Sequence, residues 1–498
     1  MNQAITTAPN LNGGSPDKDS GLRPLVISGA QWKRPLIFML TLSLCGLKFY
    51  PAFLFLLIIL VNSFRTDRYE FMVMLMLSFG SYGITTDATF FVKGVDLILV
   101  VGVVLFLTMY KTPLVRRLSW LWLGYVVALI FIASHSAESM RIQLLSIRFY
   151  AAICCFIIPV ALFAGRPFSM PKLFEALMPF ALLMCGFYAI DALILKGNIL
   201  VPRTFAWGAD SSFFHPVLDP LSTKIFRKYP PGMLFVAFAA YPVLRYYRLS
   251  AWQWTVIVAG ILSTQTFIVI TGFTLLFCFT KGLGKYVISS IGLFVALIGI
   301  AYAVDSMLPI KANEDGTYTS TLRIKSSVMQ FSALSTSAEV EDIARFGSGR
   351  MAQLIPNLEL INSEHRELYG LGFIHPDYSN IARYKIVNVF FSDIANNEIM
   401  AGVVEINPAQ VYVYAGIAGL IVVYGFYGLI CRIIHKCRYK KFFYYALFLM
   451  LFFSLGNYAY INGSGTLITL GFSLGAVCLA NRPPEADYIN SSSNVLQH

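Results

Sequence analysis

Apolar runs of membrane-spanning length, separated by short polar turns, limit what this chain can fold into before any motif is considered. A bilayer core about 30 Å thick takes roughly 20 apolar residues per helix, fewer where a span is thin or broken. In lipid every backbone polar group must be paired within the structure, so runs of this kind read as helices. Of 498 residues, 57% are hydrophobic and only 13% are charged, a composition that soluble enzymes do not have. The expected fold class is all-α: a polytopic α-helical integral membrane protein of about 14 spans with a large, partly helical periplasmic loop.

In order, the runs are Leu36 to Leu47 and Phe49 to Phe64, then Phe71 to Thr86, Gly94 to Tyr110, Leu118 to His135, Phe149 to Ala164, Leu173 to Leu195 and Pro231 to Tyr247. Trp252 to Gln265, Phe267 to Phe279, Tyr286 to Val304, Ala409 to Cys431, Phe442 to Ile461 and Thr466 to Ala480 complete them. The first two are split at Lys48-Phe-Tyr-Pro51, since proline disfavours helical geometry in the residue before it. Lysine and arginine mark alternate turns: Lys111, Arg116 and Arg117; Arg245 and Arg248; Lys281 and Lys285; Arg432, Lys436, Arg438, Lys440 and Lys441. The positive-inside rule puts these turns in the cytoplasm, and Lys33 and Arg34 join them if residues 36 to 64 cross twice. Both termini are then expected to be cytoplasmic.

The same rule accounts for the formal charge of +12, so nucleic acid is not an expected partner. The eight cysteines lie in apolar runs or cytoplasmic turns, with no metal-ligand spacing, and read as packing residues. The expected layout is a disordered tail over 1–34, a transmembrane bundle over 35–304 with an outer loop at 196–229, a periplasmic loop over 305–408, transmembrane helices over 409–481, and a tail over 482–498.

The long loop holds thirteen of the chain's 26 acidic residues against eight basic ones, so topology gives no reason for its arginines. It carries Arg345-Phe-Gly-Ser-Gly-Arg350, then Met351, Leu354, Ile355 and Leu358 at helical spacing, then Tyr369-Gly-Leu-Gly-Phe373. A guanidinium is a planar fork that matches phosphate oxygens, so Arg350 and Arg227 are candidate clamps for a diphosphate, with Arg203 and Arg323 behind them. Arg227 sits in Lys224-Ile-Phe-Arg-Lys228, cations on the side where cations are scarce; lipid headgroups or nearby acids are the plainer explanation. Gly347 and Gly349 leave room for an anion at a helix start, and Gly370 and Gly372 either do the same or simply end a helix. His135, His215, His365 and His375 fall on the outer side as candidate bases, and Glu405 stands just before the span that opens at Asn407-Pro408. Lys48, Asp96 and Asp191 are charges inside or beside spans. No Walker A or HExxH sequence occurs, so an enzyme of this kind needs a substrate that arrives already activated.

This layout resembles the O-antigen polymerase and ligase family, membrane enzymes acting on undecaprenyl-diphosphate-linked glycans. The likeness rests on Ser348-Gly-Arg350, the amphipathic run, Gly370-Leu-Gly372 and Tyr414-Ala-Gly-Ile-Ala-Gly-Leu420, with Ser263-Thr-Gln-Thr266 upstream. The chain departs from the family pattern where no arginine follows Ser263 and where Glu405 stands near a position that relatives fill with His or Asn. The resemblance implies polymerisation of lipid-linked repeat units without metal or cofactor. Arg350 and Arg227 would stabilise the leaving diphosphate, and Glu405 or His365 would accept the proton from the attacking hydroxyl. Lys224, Lys228, Arg203, Arg323, Gly347, Gly349, Gly370 and Gly372 would bind substrate. Membrane lipids, a chain-length regulator and a flippase are the partners this implies. A ligase-type transfer, or a polysaccharide or lipid transporter, is the rival reading.

Overall fold

The computed structural model describes residues 23–46, 49, 51–81, 94–108, 112–136, 138–195, 200, 233–262, 357–358, 360–373, 407–454 and 464–482, with short pieces between 276 and 319, at 385–387 and at 398–400. Helices make up 83% of the described residues, and the strands among them are isolated pairs. Four helical segments are, by length and composition, long and apolar enough to cross a membrane: Pro113–Ala133, Met140–Leu162, Met170–Leu195 and Asn407–Ile434, the last broken at Gly416.

Most described helices overlap the apolar runs, but the run Phe149 to Ala164 belongs to a helical stretch that begins earlier, at Met140. α1 (Gly29–Gly46) and α2 (Pro51–Thr66) are separate, and Pro51 opens α2, where a missing N–H costs nothing. α3 (Arg68–Met76), α4 (Gly94–Thr108) and α5 (Pro113–Ala133) follow. α6 (Met140–Ala151) passes through a tighter 3-10 stretch, Ala152–Phe156, into α7 (Ile157–Leu162). Then come α8 (Met170–Ile190), α9 (Met233–Tyr246), α10 (Ala251–Leu262), α11 (Asn407–Ile434), α12 (Lys440–Ser454) and α13 (Ser464–Ala480). α13 lies against the 3-10 stretch so closely that a Cβ on Gly475 would meet the Phe156 carbonyl, and one on Gly471 would reach within 2.9 Å of the Ile153 carbonyl. Small residues four apart give two apolar helices this approach in lipid, where packing replaces the hydrophobic effect as the driving force. The described cysteines are all free thiols, most of them buried in this packing.

One end of the bundle collects cations. Arg34 donates to Thr66 and lies 3.6 Å from Glu70. Arg68 donates to the Leu162 carbonyl. The Arg482 guanidinium donates to the carbonyls of Phe163 and Val160 at 2.9 and 2.8 Å, and the Arg438 amide donates to Asn481 Oδ1 at 2.7 Å. The Phe174 ring meets those of Tyr246 and Tyr439, which brings the turns of Arg245 and Arg438 together. Arg23–Pro24 pairs in parallel with Tyr247–Arg248, and Gln253 Nε2 donates to the Leu25 carbonyl at 3.1 Å. Residues from Arg23 onward are therefore structured, although the disordered tail was expected to run to residue 34.

Two of the charges flagged in the apolar runs have partners. Arg148 Nη1 meets both carboxylate oxygens of Asp96, at 3.0 and 2.9 Å. Asp191 is fully buried and accepts from the Leu200 amide at 3.0 Å. Lys48 lies outside the described residues.

Candidate functional site

The end of the bundle opposite the cations is built around a break in α11. Gly416 has φ 61° and ψ −159°, far from helical geometry. Tyr424 Oη donates to Asn407 Oδ1 at 3.0 Å across a separation of 17 residues, which a straight helix would hold about 25 Å apart. A Cβ on Gly419 would collide with that of Ala415 and lie 3.4 Å from the Val411 carbonyl. The arm 407–415 therefore folds back along the arm 417–434, with Gly416 at the tip and Gly419 giving the arms room. The expectation of one uninterrupted span from Ala409 to Cys431 is corrected by this: only the arm 417–434, about 27 Å long, has the length to cross a bilayer core.

Such a tip leaves carbonyls of the first arm and amides of the second without helical partners. The segment 367–372 supplies them. Leu371 N donates to Val413 O at 2.8 Å and Gly372 N to Tyr414 O at 3.0 Å, while Ile417 N donates to Glu367 O at 2.9 Å and Ala418 N to Leu368 O at 3.0 Å. This contact is backbone to backbone, which explains the glycines. Gly370 has φ 69°, and a Cβ there would stand 2.5 Å from Ala415 N; a Cβ on Gly416 would overlap the Leu368 carbonyl. Gly372, at φ 110°, has no room for a Cβ beside Ser136 Oγ.

The same segment docks on the α5–α6 corner. Ser136 Oγ donates to Leu371 O at 2.8 Å, and Arg366 Nη1 donates to His135 O at 2.8 Å. Gln143, buried in α6, donates to the carbonyls of Ala133 and Glu138 at 2.8 and 3.0 Å. The His135 ring stacks on Tyr369, centroids 4.2 Å apart and 13° from parallel. His135 Nδ1 lies 2.9 Å from the Phe131 carbonyl. A carbonyl only accepts, so Nδ1 carries a proton, and in the neutral imidazole Nε2 is then the acceptor.

His365, the other expected base, has φ 52° and occupies a helix C-terminus. Its amide donates to Asn362 O at 3.2 Å, and the Arg366 amide donates to Ile361 O at 2.9 Å, the paired bonds of a Schellman cap whose left-handed position is usually glycine. The backbone of His365 therefore forms the helix stop. Gly370 and Gly372, the other expected site residues within the described chain, are the ones that dock on α11. Arg350, Arg227, Glu405, Lys224, Lys228, Arg203, Arg323, Gly347 and Gly349, like His215 and His375, lie outside the described residues.

Inside the bundle lie three buried polar residues whose burial the sequence did not single out. Tyr125 in α5, Tyr150 in α6 and Asn407 in α11 are 4%, 4% and 2% exposed, and the two hydroxyls and the Asn407 Nδ2 have no hydrogen-bond partner. Phe373 packs edge-on against Tyr150, and the Tyr125 ring stacks on Phe426 at 4.0 Å. Tyr125 and Tyr150 are lone polar residues in apolar runs, and Ser136 and Gln143 lie in the polar stretch between two runs, none with a spacing that would distinguish it. Among the described residues no group of three or more His, Cys, Asp or Glu side chains converges to hold a metal ion. Compared with protein-family models, curated proteins and solved structures, the chain gives no match.

Proposed function

We propose that this protein is a glycosyltransferase of the bacterial inner membrane that polymerises undecaprenyl-diphosphate-linked repeat units at the periplasmic face. One observation carries the reading. Gly370-Leu-Gly372 and the Gly416–Gly419 turn, which the family resemblance relates only by their order in sequence, form one backbone-paired unit. That unit ties the far end of the long polar loop to the end of the bundle away from the cation-bearing turns, which the positive-inside rule puts on the outer side.

A glycan on a lipid diphosphate has a good leaving group, so the transfer needs charge stabilisation and a base rather than a nucleotide. In this reading Arg350 and Arg227 hold the departing diphosphate, and Glu405 or His135 takes the proton from the attacking sugar hydroxyl. His135 joins Glu405 because its tautomer leaves Nε2 free as an acceptor.

A broken helix is also a device of transporters, where unwound backbone coordinates the cargo. Here the groups freed around Gly416 at Val413, Tyr414, Ile417 and Ala418 are engaged by segment 367–372, which favours the enzyme over that rival. The test is radiolabelled lipid-linked repeat units added to purified protein in detergent. A ladder of lengthening chains is expected; transfer only to a separate acceptor would make it a ligase, and no transfer at all would sink the reading. Arg350→Ala should lower the rate about a hundred- to a thousandfold, the usual cost of losing one preorganised donor.

A further inference from the structure

Arg438 stands at the cation-bearing end of the bundle, in the turn between α11 and α12, and is held more firmly than an exposed arginine needs to be. Asn481, just past the end of α13, grips its main chain on both sides. Asn481 Oδ1 accepts from the Arg438 amide at 2.7 Å, and Nδ2 donates to the Arg438 carbonyl at 3.0 Å and to the Val477 carbonyl at 2.7 Å. The next residue, Tyr439, has φ 61°, a left-handed conformation that is costly for a bulky side chain and persists only where the surroundings impose it. The Arg438 guanidinium lies over the Tyr439 ring, 5.2 Å from its centroid.

Two other turns are drawn to the same place. The Phe174 ring, near the start of α8, meets Tyr439 edge-on at 6.5 Å and stacks on Tyr246 at 5.3 Å. Tyr247 Oη donates to the Pro171 carbonyl at 3.4 Å. Lys172 and Arg248 follow these two anchors in the chain, and both are exposed. Residues 166–175, 245–253, 432–441 and 481–482 together carry ten lysines and arginines against one acid, Glu175. Among the described residues no carboxylate lies within ion-pair distance of Arg438, Lys172 or Arg248.

The positive-inside rule asks for positive charge in these turns but for no particular posture of any one side chain. A clamped peptide, a strained neighbour and a ring under the guanidinium remove freedom that an exposed arginine otherwise keeps, and that is preorganisation for a ligand. A guanidinium is a planar fork that matches two oxygens of a phosphate. At this end of the bundle the phosphates at hand are those of the bilayer.

We propose that Arg438, in the junction that also carries Lys172 and Arg248, holds the phosphate of an anionic phospholipid of the cytoplasmic leaflet. Basic pockets between membrane helices on this side bind such headgroups. α11 offers the acyl chains an apolar surface, since Ile421 and Leu429 are 68% and 45% exposed on the arm that leads to Arg432 and the turn. The site is independent of the glycosyl-transfer reading, which concerns the opposite end of the bundle.

Size exclusion of the full-length protein in a non-ionic detergent with radioactive phosphatidylglycerol tests this, with phosphatidylcholine as the zwitterionic comparison. Saturable retention of phosphatidylglycerol is expected, and far less of phosphatidylcholine. Arg438→Lys keeps the charge and loses the fork, so it should weaken retention about tenfold, the worth of one hydrogen bond to a charged group. Arg116→Gln removes an exposed cation from a different cytoplasmic turn and should leave retention unchanged. No preference for phosphatidylglycerol in the unmodified protein, or undiminished retention by Arg438→Lys, would overturn the proposal. An equal fall in Arg116→Gln would overturn it too, by reducing the interaction to general surface attraction.

Discussion

Gly370 and Gly416 face each other across a backbone contact, each in the left-handed region, and a Cβ on either would run into the main chain around the other. No side-chain adjustment relieves such a collision, because the obstacle is main chain. Gly416→Ala should therefore destabilise the protein by at least about 2 kcal/mol, the left-handed penalty plus the displaced contact. Gly370→Ala should behave alike, and the double variant should cost less than the sum, since the first change already parts the segments. Midpoints from fluorescence-detected size exclusion after heating would measure this. An unchanged midpoint for Gly416→Ala would mean that the two arms do not fold as described.

The histidines divide by backbone. His365→Gly places the preferred residue at the left-handed cap and should raise stability by about 1 kcal/mol while leaving chain growth intact. His135→Gln should keep the fold and, if His135 is the base, slow transfer about a hundredfold or more. The repeat-unit ladder in detergent reads both. A slow His365→Gly variant of normal stability would restore that residue as the base.

The Asp96–Arg148 pair ties α4 to α6 with Arg148 only 13% exposed. Asp96→Asn leaves the guanidinium without its counter-charge and should cost about 1–3 kcal/mol, below the full buried-pair figure because Asp96 is partly open to solvent. Adding Arg148→Gln should recover much of the loss. A double-mutant cycle with additive effects would contradict this coupling.

Glu70 sets a pH dependence. It stands one residue before the apolar run that begins at Phe71, and its folded carboxyl is held above the usual range by burial, then by Asp67, against the opposing pull of Arg34. A raised carboxyl binds its proton more tightly in the folded state. Its contribution therefore favours folding at low pH and declines as pH rises from the unfolded value near 4 through the folded one. Glu70→Gln should be more stable than the parent at pH 7, with the difference vanishing by about pH 4. Thermal midpoints in a pH series would show it, and parallel curves would contradict it.

Much of the helix placement was legible, because apolar run length and proline position are local signals. The α1–α2 break at Pro51 and the helices flanking the 196–229 loop illustrate this. Gly416 was legible as part of a motif but not as a hinge. A glycine in an apolar run reads the same whether the helix continues or reverses, and what decides it is segment 367–372, more than forty residues upstream. The roles of Ser136 and Gln143 were hidden for a related reason, since each acts through a main-chain partner that leaves no mark in the sequence. His365 was legible as a histidine but not as a helix cap, because the left-handed conformation is a property of the tertiary backbone.

Phe373 and Asn407 are both held against α11, one beside Tyr414 and the other beside Tyr424. The chain between them thus leaves and rejoins the same helical hairpin. The entropy of closing such a loop rises only with the logarithm of its length, about 0.6 kcal/mol for each doubling. The hairpin therefore anchors both ends of the intervening chain, and a change in that chain's length alone adds little to the entropy cost of folding.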